Sequence, residues 1–389
     1  MANNRVYYAI QQVSFGKDSG SKAGTRYVAH GVQSVGITTN FNLEQVFELG
    51  QISIYENVEG TPDVEVTLSK VLDGYIPLYC MATADQSDGP ALAQRNTSSN
   101  KCFMQLGIWD EANESAGQNS SSAGSYVEMS GLVVSSVGYN FPLDDNFSED
   151  VTLVGNYKVW ASGTNTNTVA NTCGVRYTPN AAAGGFAGNN DSPIGDGGVN
   201  RRENIQFALS GAAVTGADVT ILPPDIPGVG ASGEIGTAHV SSITTSVDVS
   251  REDIFELGKK LPYAKSVTFP IEVTCDIEVT TASGDLINAL DDCTGTAGCN
   301  TKSNLNERKI RIATCEGLRL WLGKKNKLAT VSYGGGDAGG GNATVTYSYT
   351  NFNDFTVVHS GDVTANGGSS SGATWWSNRE TYVGHSVFN

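Results

Sequence analysis

The sequence predicts a mainly β protein that uses one structural unit twice, and three observations carry that reading. Residues 32–50 read VQSVGITTNFNLEQVFELG and residues 240–258 read VSSITTSVDVSREDIFELG, a gapless offset of 208 positions with seven of nineteen pairs identical. Solenoid repeats recur every roughly 20–50 residues, so a spacing this long marks a duplicated domain. Gly (46 residues), Ser, Thr and Asn are abundant and only 16% of residues are charged, which suits many short strands joined by turns. Most periodic segments alternate apolar and polar residues, the period of a half-buried strand.

In the first copy Val35, Ile37, Thr39 and Phe41 alternate with small or polar residues, and in the second Ile243, Thr245, Val247 and Val249 do the same. Each strand then meets what reads as a helix start. Asn42 and Ser250 stand as N-caps, with Gln45 and Asp253 three residues on, and Gly50 and Gly258 sit where a helix C-terminal glycine belongs. The expectation is strand, two-turn helix, strand in both copies. Phe47, Leu49, Phe255 and Leu257 are then the buried anchors of the helices, and Gly50 and Gly258 their stops. Val64-Glu65-Val66-Thr67 aligns with Ile271-Glu272-Val273-Thr274 after a one-residue slip.

Further strands are expected in 130–141 and 149–160, and then in 317–323, 327–333, 342–350 and 354–359. All are short, alternating and separated by Gly, Asn or Asp clusters. Residues 83–125 and 161–200 read as long loop inserts in a first domain spanning 1–200. Residues 222–228 (LPPDIPG) read as a stiff connector leading into the second copy, and the second domain spans 201–389.

The net charge of −16 argues against a surface that grips nucleic acid, since phosphate contacts need Lys and Arg. It is compatible with a surface past which nucleic acid slides. No stretch approaches 18 continuous apolar residues, so no membrane span is expected, and the start MANNRVYYAIQQVSF lacks the pattern of a signal peptide. Seven cysteines without a C-x-x-C pair read as reduced, mostly buried thiols and not as a zinc site. Gly368-Ser-Ser-Ser-Gly372 matches a nucleophile elbow literally but has no strand before it. The four histidines (30, 239, 359, 385) are too dispersed for a triad or a metal site, and Glu48 and Glu256 read as duplicated residues, not a carboxylate dyad. Trp375-Trp376 reads as an interface element. The expectation is therefore no catalytic residue, no metal and no cofactor.

The two FELG segments, VSSVGYNF with EDVTLVGNYKVW, and WLGKKNKLATVSYGGGDAGGGNATVTYSYTNFND together resemble tail tube proteins of tailed bacteriophages. The resemblance covers most of the chain outside the Asn/Gly-rich inserts. It implies β-sandwich or half-barrel protomers with one short helix each, closing into sixfold or pseudo-sixfold rings that stack as a hollow virion tube for DNA ejection. Some members fuse two tube domains per chain and form trimers that imitate a hexamer, and the duplication puts this chain with those. The implied partners are further copies of the chain and other tail proteins, with assembly in the host cytoplasm. DNA would pass through the lumen unbound, its wall acidic, with Asp248, Glu65 and Glu272 as inward-facing candidates. Alternatives left open are another virion tail or capsid decoration component, a secreted β-repeat adhesin or lectin, and a polysaccharide-cleaving enzyme, which would need two converging carboxylates.

Overall fold

The computed structural model describes residues 11–17, 26–83, 101–108, 125–162, 198–208, 219–281, 284–287, 305–336 and 341–359. Strands dominate. In chain order they are β1 Gln11–Lys17, β2 Arg26–Val28, β3 Val32–Asn40, β4 Leu43–Phe47, β5 Ile54–Glu59 and β6 Asp63–Val71. After the helix α1 Leu78–Thr83 come β7 Cys102–Ile108, β8 Ser125–Pro142, β9 Ser148–Gly155 and β10 Tyr157–Ser162. The second half adds β11 His239–Asp248, β12 Arg251–Ile254, β13 Ala264–Val267 and β14 Glu272–Thr280. Among the described residues β15 Arg311–Ala313, β16 Leu318–Trp321, β17 Lys327–Gly334, β18 Thr344–Phe352 and β19 Thr356–His359 follow.

Every ladder between these strands is antiparallel. Eight strands follow one another side by side in the order β3-β6-β9-β8-β11-β14-β18-β17. The 18-residue β8 belongs to two layers. Its second half pairs with β9 and β11 in this row, and its first half pairs with β7 and β10, from which β1 and β2 continue. A smaller sheet, β15-β16-β19, accompanies the second half.

The row is the same four-strand arrangement laid down twice. The pairs β3·β6 and β11·β14 carry a register irregularity at equivalent places, between Val32 and Ser34 and between Val240 and Ser242. The hairpins β8·β9 and β17·β18 repeat a second one, between Val134 and Ser136 and between Leu328 and Thr330. Bulges alter twist and re-aim strands, so two of them retained at matching sites carry the duplication into the backbone. The ladders also correct one alignment. Val64 opposes Thr39 while Val273 opposes Val247, so Val64 corresponds to Val273 and not to Ile271. A two-residue displacement keeps every side chain on its face, which is why alternation in the sequence did not detect it.

One face of the row is core. Val64, Val66 and Leu68 of β6, Val151 and Leu153 of β9, and Ile243 and Val247 of β11 are buried, as are Val273 and Ile277 of β14 and Tyr347 and Tyr349 of β18. They share one hydrophobic cluster with Val13, Phe15, Met104, Val127 and Leu320 from the other strands.

The helix lies away from both expected places. Residues 42–50 and 250–258 are strand and turn, whereas α1 falls at 78–83 and is buried along its whole length. Its six residues LYCMAT offer no polar face, so the pattern for a surface helix was never present. The expected insert 83–125 contains strand β7, paired along its length with β1, while 84–100, 109–124 and 163–197 lie outside the described residues. The connector 222–228 packs into the core, with Leu222 and Ile226 fully buried.

Glu149 anchors the helix. Its carboxylate, fully buried, accepts the backbone N–H of Leu78 (2.6 Å) and Tyr79 (2.9 Å) and the Tyr139 hydroxyl (2.8 Å). These are helix-start N–H groups with no intrahelical partner. Burial pushes the carboxyl up, while the Tyr79 N–H, Lys70 and the other two donors pull it back. Nearby, the buried Lys70 ammonium donates to Ile76 O (3.0 Å) and pairs with Asp73 (3.1 Å). Glu149→Gln should destabilise the fold by about 1–3 kcal/mol, because an amide NH2 must face at least one backbone N–H. Glu149→Ala should cost about 3–5 kcal/mol, the figure for removing one member of a buried charged set. Urea unfolding of the two variants checks both values.

His359, buried at the end of β19, supplies a pH dependence. Burial holds its imidazole down at about 3, against 6.5 as an ordinary side chain. Below about pH 6.5 the unfolded chain takes up a proton that the folded chain refuses, so stability is lost as pH falls toward 3. Asp354, pushed up to about 6 by burial, acts in the opposite sense. The difference in unfolding free energy between wild type and His359→Gln should therefore shrink as pH drops, by about 1.4 kcal/mol per unit at most.

Candidate assembly surface

The repeated FELG segments form two hairpin arms. In the first, β4 pairs with β5, and in the second β12 pairs with β13. At each tip a backbone N–H closes a four-residue turn, Gln51 to Glu48 O (3.2 Å) and Lys259 to Glu256 O (3.4 Å). The third turn residue is Gly50 (φ +91°) or Gly258 (φ +88°). A type II turn needs a positive φ at that position, which glycine adopts without strain. At each base a second bond repeats, Gly60 N to Asn42 O (3.1 Å) and Thr268 N to Ser250 O (3.0 Å). The Asn42 amide further donates to Thr61 O (2.8 Å) and Asp63 (2.6 Å), and Lys265 clamps Asp253 in the second arm (2.6 Å).

These arms overturn the expected role of the six residues singled out in the sequence. Phe47, Leu49, Phe255 and Leu257 are exposed, and Leu49 and Leu257 at the turns are completely so. Gly50 and Gly258 are turn glycines and not helix stops. A two-turn helix is marginal without a surface to bury its stripe, and these four apolar side chains stay exposed; pairing each segment with the returning strand satisfies its backbone instead. Both strands of the first arm are exposed along their whole length, whereas Val267 of the second arm is buried and Arg251 donates to Val134 O (2.8 Å). The tip of the second arm also reaches the base of the first, where the Thr61 hydroxyl donates to Lys260 O (2.7 Å).

The outer face of the eight-strand row is polar. It carries Asp63, Glu65, Asp150, Asp248, Glu272, Asp276 and Glu278, seven carboxylates against one ammonium, Lys327, a difference of −6. Hydroxyl and amide groups bond across the strands between them, among them Ser246 to Thr274 (2.7 Å), Ser242 to Glu278 (3.2 Å) and Thr244 to Asn140 (3.1 Å). The three acids proposed for an acidic wall, Asp248, Glu65 and Glu272, all lie on this face. The arms leave the row beyond Asn40 and Asp248. At the opposite end of β11 opens an apolar pocket of about 280 Å³, lined by Phe141, Leu143, Phe147, Ile205, Phe207 and Val240.

The other sequence candidates lie apart. Glu48 and Glu256 sit on separate arm tips, bonded to Gln51 (3.0 Å) and to Lys259. His30 stacks on Tyr75 (4.2 Å), His239 begins β11, His359 is buried, and His385, Trp375-Trp376 and the 368–372 motif lie outside the described residues. Cys80, Cys102 and Cys275 are buried and Cys315 is exposed; burial pushes the Cys275 thiol up to about 12. Among the described residues no three His, Cys, Asp or Glu side chains converge as metal ligands do.

Leu49→Ser and Leu257→Ser should leave the unfolding free energy of the isolated chain within about 0.5 kcal/mol of wild type. Leu153→Ala, at a fully buried site, should cost about 2–5 kcal/mol. Thermal or urea denaturation of dilute protein distinguishes the two behaviours. Comparison with family models and with curated proteins finds no match for this chain.

Proposed function

We propose that the chain is a structural protein of a bacteriophage tail tube, in the form that carries two fused tube domains, 1–200 and 201–389. Three copies close a pseudo-hexameric ring, rings stack into a hollow tube, and DNA passes through the lumen unheld. The reading calls for no catalytic group, metal or cofactor. Other tail proteins would meet the tube at its ends, with assembly in the host cytoplasm.

The observation that carries this reading is the eight-strand row itself. It sets the same four-strand arrangement side by side twice, buries one face and leaves the other as a broad wall of carboxylates and hydroxyls. A wall of that charge keeps a layer of water and counterions between itself and phosphate, whereas Lys or Arg contacts would accumulate affinity along a stacked tube. The arms lend support to stacking. They present bare Leu49, Ile52 and Leu257 beyond one end of the row, while the apolar pocket opens at the other, so successive rings in one orientation bring tips and pockets to the same level.

Electron microscopy of concentrated protein should show rings and tubes, with native mass spectrometry giving three chains per ring. Particles that stay monomeric at every concentration would overturn the reading, and six chains per ring would overturn the stoichiometry alone. Assembled protein should not retain duplex DNA at physiological ionic strength. Leu49→Ser with Leu257→Ser should shorten or abolish tubes while leaving the fold intact.

A further inference from the structure

We infer that copies of this chain join through β17 of one copy and β3 of the next, antiparallel and in the register that sets Thr38 opposite Ser332. The inference rests on the reading above only in taking the chain to be self-assembling, and it names the surfaces that do it.

The template lies inside the chain. The two four-strand arrangements meet where β8, the last strand of the first, pairs with β11, the first strand of the second, with Phe141, Tyr139 and Val137 opposite Ile243, Thr245 and Val247. The duplication makes β3 the counterpart of β11 and β17 the counterpart of β8. Among the described residues β3 pairs only with β6, and β17 only with β18. The chain therefore ends on one side with a copy of one half of its own junction, and on the other side with a copy of the other half. A contact between unlike surfaces, carried on both ends of one molecule, propagates from copy to copy and closes if its rotation permits.

The bulges fix the register. A displacement of 208 carries Val32 and Ser34 onto Val240 and Ser242, and one of 194 carries Val133, Val134 and Ser136 onto Lys327, Leu328 and Thr330. Transferring the internal pairs sets Val35 opposite Gly335, Ile37 opposite Tyr333, Thr38 opposite Ser332, Thr39 opposite Val331 and Asn40 opposite Thr330. Side chains keep their faces: Val35, Ile37 and Val331 already pack against the core cluster at the two open edges.

Exposure shows what is missing at those edges. Tyr139 at the internal junction is 1% exposed and its counterpart Tyr333 is 55% exposed. Val249, whose N–H donates to Ser135 O (2.6 Å) at the β8 bulge, is 1% exposed, and its counterpart Phe41 is 57% exposed. The arms follow the same logic. The second arm rests on β8 of the first half, and the first arm is bare because its resting place, β17 at Ala329, belongs to the neighbouring copy.

The test is a pair of cysteines on the polar face of the two strands. Thr38 and Ser332 lie seven strand spacings apart within one chain, about 4.8 Å each, so their disulfide forms between copies. Under mild oxidation Thr38→Cys/Ser332→Cys should give a ladder of covalent multimers. Neither single variant should, nor the pair Thr38→Cys/Thr330→Cys, which is slipped by two residues on the same face. Tyr333→Asp should abolish species larger than the monomer in native mass spectrometry with an unchanged melting temperature. Tubes or rings without the Thr38–Ser332 ladder, or with an equal ladder from the slipped pair, would overturn the inference and leave the tube reading standing. A ladder without rings or tubes would uphold the inference and overturn the tube reading, and protein that never self-associates would overturn both.

Discussion

Everything in this chain is hung on β8. Eighteen residues in one strand must satisfy hydrogen bonds on both sides in two different layers, to β7 and β10 first and then to β9 and β11. A strand cannot do this flat. The change of layer falls at Gly131, with φ +69°, and the register shifts beside it toward β7 and at Ser135 toward β9. Extra residues of that kind increase twist and bend the strand. Gly155 at the end of β9 completes the corner, since a Cβ there would stand 2.8 Å from the Leu132 side chain. The second half solves the same problem by interruption, with β16 and β17 as separate strands around Gly323 and Lys324-Lys325.

Because β8 is also the strand onto which β11 is added, the two halves share one sheet and one hydrophobic cluster. The buried polar groups reinforce this. Glu149 on β9 holds the start of α1 and the hydroxyl of Tyr139 on β8, and α1 in turn touches the second half through the Cys80 thiol at Val357 O (3.8 Å). Tyr79 of the helix stacks edge-on against Phe355. A charge so deep is tolerated only with its full set of donors, so the network demands one arrangement of helix, first-half strands and second-half strands together.

The arms show the opposite regime. The first arm buries almost nothing in the isolated chain and the second is only partly buried against β8, and the form of both is set by local chemistry: a turn glycine, the Asn42 amide, the Asp253–Lys265 pair and a short ladder. Large apolar side chains kept bare on such a ribbon are costly for solubility, and their retention in both copies is the reason to regard the arms as contact surfaces.

The sequence by itself determined the duplication and the strand-forming alternation, because each is a local or self-referential signal; it marked Gly50 and Gly258 as breakpoints but not what they terminate. The strands at β16, β17, β18 and β19 fall where the alternating runs end at Gly, Asn or Asp clusters. Tertiary structure decided the rest. A cap, an apolar pair and a glycine describe a short helix and a type II hairpin tip equally well, and it is the fold, with Phe47 and Phe255 left exposed and each segment paired to a returning strand, that selects the hairpin. The helix at 78–83 has no periodic face to announce it and exists because a carboxylate seventy residues away accepts its first N–H groups. The two open edges look like ordinary alternating strands in the sequence; they become a candidate site once the internal pairing of β8 with β11 shows what their counterparts do when covered.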